Sequence, residues 1–268
     1  MAEKKRLIVL IPHFNNPDGL MHTIMSIEEP FDVDVMVVDD GSNVKPNEPG
    51  LKKNYKNGTL HFEYLTENKG IGHALNHGLR KIQEMDYKWV GRLDSGDLNK
   101  KDKYKKQFDY LKKHPNIKLL GTWANMVDEK GNLLFVLKHP VSHDEIEKKM
   151  YINNRFIHPT VIFSTEIFDK VGFYPEKYAK AAQDYAYFFQ VMKHFEVGNL
   201  PDALLNYSMD ENSISTKKRK LQVKNRINII WDNFYLGLYP IYGLIINPLL
   251  LILSRETTTK LKRTFQRA

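Results

Sequence analysis

Two aspartates in a four-residue turn, Asp94-Ser95-Gly96-Asp97, follow the apolar run Tyr87 to Leu93. Hard divalent cations such as Mg²⁺ or Mn²⁺ take oxygen ligands, usually one or two carboxylates with phosphate oxygens and water. Such a turn can hold an ion against a diphosphate. Asp, Ser and Gly are also ordinary turn residues, so spacing alone leaves both readings open. Asp39 and Asp40 end a second apolar run, Val33 to Val38, in Asp39-Asp40-Gly41-Ser42. Successive strand residues point to opposite faces, so one of the pair at most faces a ligand. A carboxylate there can accept a nucleobase imide N–H, or it can cap a turn. Asn68-Lys69-Gly70-Ile71-Gly72 resembles a helix entry beside phosphate, although so short a glycine pair is common. Asp184 opens the aromatic stretch Tyr185 to Phe189, where capping explains an aspartate equally well. His158, alone before Pro159, reads locally as structural.

These residues need a scaffold. Leu7 to Ile11 is a short continuous apolar run, as expected of a strand covered on both faces. Helical spacing follows from Pro17 to about Glu28 and from Ile71 to Met85. Strands are expected at Val33 to Val38, Leu60 to Leu65 and Tyr87 to Leu93. Strands alternating with helices at this spacing imply βαβ units and a mainly parallel sheet flanked by helices. Ligands of such sheets sit beyond the carboxyl ends of the strands. Those ends carry Pro12-His13-Phe14-Asn15, Asp39 to Ser42 and Asp94 to Asp97, so three polar loops converge on one edge. Beyond Asp97 the expected elements are a helix over Lys103 to His114, a strand over Ile117 to Trp123 and a hairpin turn at Glu129 to Asn132. A strand over Thr160 to Phe163 and a helix over Asp184 to Phe195 follow.

The chain has 268 residues, no cysteine and a formal net charge of +8. Without cysteine there are no disulfides, thiolate zinc sites, iron–sulfur clusters or cysteine nucleophiles. The charge is unevenly placed. Residues 1–216 hold 29 basic and 30 acidic side chains, whereas 217–268 hold 11 basic and 2 acidic ones. A near-neutral body with a basic tail argues against a nucleic-acid binder, because the basic residues flank an apolar segment and do not alternate with aromatics. That segment, Asn233 to Ser254, is 22 residues without a charge, interrupted by Gly237, Pro240, Gly243 and Pro248. The interruptions suit an interfacial segment better than a straight span. Basic clusters on both sides favour lying on a cytoplasmic leaflet. A helical hairpin packed on the body, or a dimer contact, is the other reading. The amino terminus does not read as a signal peptide, since Pro12 stops its apolar run.

Taken in order, the motifs resemble family 2 glycosyltransferases of the GT-A fold, over about Arg6 to Asn212. The resemblance rests on Leu10 to Asn15, Val37 to Ser42, Glu67 to Gly78, Arg92 to Asp97, Gly172-Phe173-Tyr174 and Gln183-Asp184-Tyr185. It implies a GT-A domain over 1–216 and a basic, apolar helical segment over 217–268 that associates with membrane. It implies nucleotide binding by Pro12, His13, Phe14, Asp40, Asn68, Lys69, Gly70, Arg92 and Asp94. Asp97 with Asp94 would hold Mn²⁺ or Mg²⁺. Asp184 would be the general base, with Gly172, Phe173 and His158 on the acceptor side. By the habit of the family the donor would be a nucleotide-sugar, UDP-linked, and the acceptor a glycan or lipid-linked oligosaccharide in surface polysaccharide synthesis. Gly96 stands where many relatives carry another aspartate, which is the main support for a rival reading as a non-catalytic nucleotide-sugar-binding or scaffold subunit. A nucleotidyltransferase would show a glycine- and basic-rich signature after the first strand, and Pro12 to Gly19 lacks one.

Overall fold

The computed structural model describes residues 5–209 and 218–249. β1 (Lys5–His13) pairs in parallel with β2 (Asp34–Asp39) and with β4 (Tyr87–Arg92), and β2 with β3 (Leu60–Tyr64). β1 is apolar on both faces because both are covered. Ile8 and Leu10 pack under α3 (Ile71–Gln83), while Leu7, Val9 and Ile11 pack under α1 (Pro17–Met25) and α4 (Lys103–Lys113). This pattern is that of a buried parallel strand. Burial of a Leu- or Ile-sized side chain contributes about 1.5–3 kcal/mol, so this layer dominates the stability of the edge that carries the polar loops. A short helix α2 (Glu48–Asn54), begun by an Asn47 cap that accepts the Gly50 N–H at 3.1 Å, lies between β2 and β3.

The sheet changes character past β4. β8 (Ile162–Ser164) pairs antiparallel with both β4 and β6 (Ile117–Val127), and β6 runs parallel to β9 (Glu196–Ser208). β5 (Leu98–Asn99) closes the order β3-β2-β1-β4-β8-β6-β9-β5, and β7 (Leu133–Leu137) forms the expected hairpin on β6. The expected strand over Thr160 to Phe163 begins two residues later, because Pro159 starts a 3₁₀ turn over His158–Thr160. α5 (His143–Met150), α6 (Ile167–Val171) and α7 (Gln183–Met192) cover this half.

Two helices follow: α8 (Arg219–Asp232) and α9 (Leu238–Leu249). Ile229 and Ile230 of α8 belong to the same buried cluster as α7 and β1. Asn247 of α9 is fully buried, and Gly243 lies so close to the Tyr151 carbonyl that a Cβ could not fit. The described part of the tail is therefore a hairpin docked on the body. Among the described residues no helix is long and apolar enough to cross a membrane. Leu238, Ile241, Tyr242, Ile245 and Leu249 are all exposed, at helical spacing on the face away from Gly243 and Asn247. The rest of the expected apolar segment, beyond Leu249, lies outside the described residues.

Candidate active site

The three strand-end loops meet as their positions require. His13, buried at the end of β1, sits beside Asp39 of β2 with Nδ1 and Oδ2 2.8 Å apart. Its Nε2 accepts the Asn16 N–H at 3.2 Å, so the ring proton is on Nδ1 and is donated to Asp39. The other Asp39 oxygen accepts the Ser42 N–H at 3.0 Å and the Lys45 ammonium at 2.9 Å. Burial pushes the Asp39 carboxyl up, but the bonds from Ser42, Lys45 and His13 outweigh it and hold it below the usual range. Asp39 thus organises the loop. Asp40 accepts the N–H groups of Lys69 at 3.0 Å and Gly70 at 2.8 Å, joining β2 to the entry of α3. Gly41 makes that approach possible: its φ is +68°, and a Cβ would run into the Glu67 backbone. Pro12 is buried, Phe14 is 48 % exposed, and Asn68 and Lys69 are exposed. Lys69 pairs with Glu67 at 2.9 Å.

The turn after β4 is stitched to α1. Buried Thr23 accepts the Gly96 N–H at 2.8 Å and donates to the Asp97 carbonyl at 2.9 Å. Gly96 has φ +112°, a backbone state that side-chain-bearing residues rarely adopt, so an aspartate at that position would be strained in this turn. Arg92 is buried and holds Asp94 through Nη2, and Asp94 remains partly exposed. Asp97 is 5 % exposed. One of its oxygens accepts the Ser208 N–H at 3.1 Å, while the other, Oδ2, is buried with no hydrogen-bond partner among the described residues. Burial, then the charge of Asp94, drives the Asp97 carboxyl well above its ordinary value. Behind it, fully buried Lys103 donates to Asn99 Oδ1 at 3.0 Å and to the Pro159 carbonyl at 3.1 Å, and burial pulls its pKa down to about 7.

An orphaned carboxylate oxygen beside a second, accessible carboxylate fits a divalent cation that completes its shell with phosphate oxygens and water. Among the described residues no group of three or more His, Asp or Glu gathers into an all-protein cage. The fit is thus to a site completed by the substrate.

Asp184 belongs to the second half of the chain. It stands in the first turn of α7, after Ala182 at φ +65°, and accepts the Asn154 amide at 2.8 Å. Burial raises its carboxyl above the ordinary range, against hydrogen bonds from nearby backbone and Asn154 and the charge of Arg226. Tyr207 of β9 precedes Ser208, which holds Asp97, and the charges of Arg92, Asp94 and Asp184 act on both Tyr207 and Tyr174, so the two turns lie near one another. His158 Nε2 lies 2.8 Å from the Tyr174 hydroxyl, and burial with Arg92 nearby keeps the ring neutral, well below its usual pKa. Phe173 is occupied by packing, 5.2 Å from Phe168 and 5.8 Å from the Arg80 guanidinium. Gly172 has φ +77°, and its carbonyl accepts the Tyr187 hydroxyl at 3.4 Å. It is their neighbour Tyr174 that reaches the cluster. Asn154, Tyr207 and Arg226 have no signature in the sequence, since each comes from a segment whose local pattern says nothing about the site.

The model for glycosyl transferase family 2 matches residues 8–172. The chain belongs to that family. It is a glycosyltransferase with a GT-A fold. A glycosyltransferase of Methanocaldococcus jannaschii, MJ1057, is 25 % identical over 240 residues, covering 86 % of this chain and 81 % of that protein. The amylovoran biosynthesis glycosyltransferase AmsE of Erwinia amylovora is 26 % identical, over 62 % of this chain and 60 % of AmsE. An Escherichia coli UDP-Gal:alpha-D-GlcNAc-diphosphoundecaprenol beta-1,3-galactosyltransferase is 27 % identical over 64 % and 60 % of the two chains. TarS 1–349 of S. aureus in complex with UDP-GlcNAc superposes with a TM-score of 0.65 at 18 % identity, over 84 % of this chain and 64 % of that one. The mannosyltransferase PcManGT of Pyrobaculum calidifontis, solved with GDP-Man and Mn²⁺, superposes at 0.60 and 17 % identity over 94 % and 71 %. The chain spans less than two thirds of AmsE, of the E. coli transferase and of the TarS structure.

Proposed function

We propose that the chain transfers a sugar, with inversion, from a UDP-sugar to a hydroxyl of a glycan or lipid-linked acceptor in surface polysaccharide synthesis. The reading is carried by one observation: Asp184, a half-buried carboxylate with a raised pKa, acts on Tyr207, whose neighbour Ser208 holds Asp97 of the Asp94–Asp97 turn. Phe14 and Asp40 border the place for the base, with Pro12, His13 and the Asn68 to Gly70 entry around it. Arg92 orients Asp94. Asp97 and Asp94 would hold Mn²⁺ or Mg²⁺, which when bound neutralises charge on the departing diphosphate. Asp184 takes the proton of the acceptor hydroxyl as its oxygen attacks the anomeric carbon. The bond from that carbon to the diphosphate oxygen breaks, and the nucleoside diphosphate leaves from the opposite face. A raised carboxyl pKa suits a base that must accept a proton near neutral pH. Asn154 keeps the carboxylate in place.

Replacing Asp184 with Asn tests the assignment. Turnover is expected to fall by about 10²–10⁴-fold while UDP affinity, read by calorimetry, stays within about twofold. Retained turnover would remove Asp184 from the role.

The exposed apolar face of α9, between basic stretches at 217–220 and 255–267, suits the cytoplasmic surface of an anionic membrane. An Ile241→Glu/Ile245→Glu variant is expected to stay in solution with anionic vesicles that sediment the parent chain. Equal sedimentation of both would overturn the docking face.

A further inference from the structure

Two arginines stand next in sequence to residues that hold the Asp184 turn, and the transfer steps above use neither. Arg155 follows Asn154, the residue that holds Asp184, and its Nε donates to the Lys149 carbonyl at 3.0 Å. Arg226, on α8, follows Asn225, whose amide donates to the Ala181 carbonyl at 2.9 Å, just ahead of the Asp184 turn. Arg226 Nη1 donates to Asn247 Oδ1 on α9 at 3.0 Å, and Asn247 donates in turn to the Ile152 carbonyl at 3.2 Å. The 152–155 loop, α8 and α9 are thereby tied into one wall beside the base.

Both arginines are half-buried, and each hydrogen bond they make among the described residues goes to a neutral carbonyl or amide oxygen. Burial, and for Arg155 the charge of Arg226, disfavours their ionised forms. Tyr185, whose hydroxyl donates to the Met150 carbonyl, lies next to both. Asp184 answers part of the charge of Arg226, while no carboxylate among the described residues pairs with Arg155, so the half-buried pair keeps a positive charge that a further anion would offset. The guanidinium fork matches phosphate oxygens two at a time. Arg226 also touches the buried side of α9, whose opposite side is the exposed apolar face. A helix is about 10–12 Å across, so the pair lies at headgroup depth if that face meets a bilayer.

We propose that Arg155 and Arg226 form the subsite for the diphosphate of a lipid-linked acceptor, presenting its sugar hydroxyl to Asp184 while the lipid chain leaves along α9. The proposal deepens the reading of the chain as a transferase with a lipid-borne acceptor, and rests on it.

The probe is n-dodecyl diphosphate, titrated into the full chain already saturated with UDP and Mn²⁺ so that the donor site is filled. Wild type is expected to bind it. Arg155→Gln and Arg226→Gln should each weaken binding at least about tenfold, the scale of one charged hydrogen bond. Arg155→Lys and Arg226→Lys should fall between, which guards against a Gln variant that merely fails to fold. UDP affinity, measured first, should be the same in all of them. Inorganic pyrophosphate should bind more weakly than the dodecyl ester. The subsite is overturned if wild type does not bind the ester, or if an R155Q/R226Q variant binds it as tightly. Pyrophosphate binding as tightly as the ester would overturn the lipid-linked part. Loss of UDP binding in wild type would instead strike the donor reading, and the ester titration would still judge the arginines.

Discussion

Asp39, at the end of β2, and Asp184, in the first turn of α7, are aspartates whose surroundings move them in opposite directions. Burial raises both. At Asp39 three donors, Ser42, Lys45 and His13, overcome it and the carboxyl is held low. At Asp184 the backbone, Asn154 and Arg226 do not, and the carboxyl stays high. Asp97 goes further in the second direction, with one oxygen left without a partner among the described residues. The proposed donor side is thus a finished hydrogen-bonded frame. On the proposed reacting side Asp97 Oδ2 has no partner among the described residues and the Asp184 carboxyl, though hydrogen-bonded, stays raised, so substrate, cation or proton can supply what is missing. Functional sites are where such unfavourable placements gather.

Asp39→Asn should break the contrast most severely. It removes the charge from two buried hydrogen bonds, each worth about 1.5–3 kcal/mol, and from a half-exposed one to Lys45, and a fall of about 3 kcal/mol in unfolding free energy at pH 7 is expected from denaturant titration. A carboxyl held low contributes stability above its unfolded pKa and loses it as pH falls through the folded value. The loss on mutation should therefore shrink in acid. Gly41→Ala should come next, at about 1–3 kcal/mol, because φ is positive and the added Cβ meets the Glu67 backbone. A cost below about 0.5 kcal/mol would mean that the loop can separate from α3.

Asp97→Asn should do the opposite of Asp39→Asn in metal-free protein. A carboxyl held high contributes stability below its unfolded pKa and loses it as pH rises through the folded value. The variant should therefore melt a few degrees above the parent at neutral pH, on the scale of about 2–4 °C per kcal/mol. It should lose Mn²⁺-dependent stabilisation in exchange. An unchanged or lower melting temperature would show that the orphaned oxygen carries no strain. The smallest effect is on pH dependence. The charge of Arg226 lowers the Asp184 carboxyl, so Arg226→Gln should move the acidic limb of kcat/KM to higher pH, and Arg226→Lys should restore much of it. Tyr174, Tyr207 and Asn154 face the same carboxylate and are unchanged in both variants.

The half proposed for the donor was legible because each of its loops is contiguous and each follows an apolar strand. His13, Asp39 to Ser42 and Asp94 to Asp97 are read off strand ends, and the parallel sheet brings strand ends together. The acceptor half was not. β9 carries Gly198, Pro201 and Asp202 and pairs with β6 through several register shifts, so no period marks it as the strand that supplies Tyr207. Asn154 sits in an irregular loop, and Arg226 reaches Asp184 only because α8 docks on α7. Phe173 carried the family resemblance, yet its ring is packed against Phe168 and Tyr174 is the residue at the cluster. The low overall polarity of α9 was visible, whereas the split into a buried Gly243–Asn247 side and an exposed side needed the docked helix.

The proposed donor frame and the unsatisfied turn would meet at the nucleotide, and UDP binding is the most direct test of both. UDP is titrated calorimetrically into the full chain with Mn²⁺, and again with EDTA. Binding with Mn²⁺ that weakens at least tenfold in EDTA is expected, and Asp97→Asn should abolish the difference. Absence of UDP binding under both conditions would contradict the assignment of the strand-end loops as the donor site.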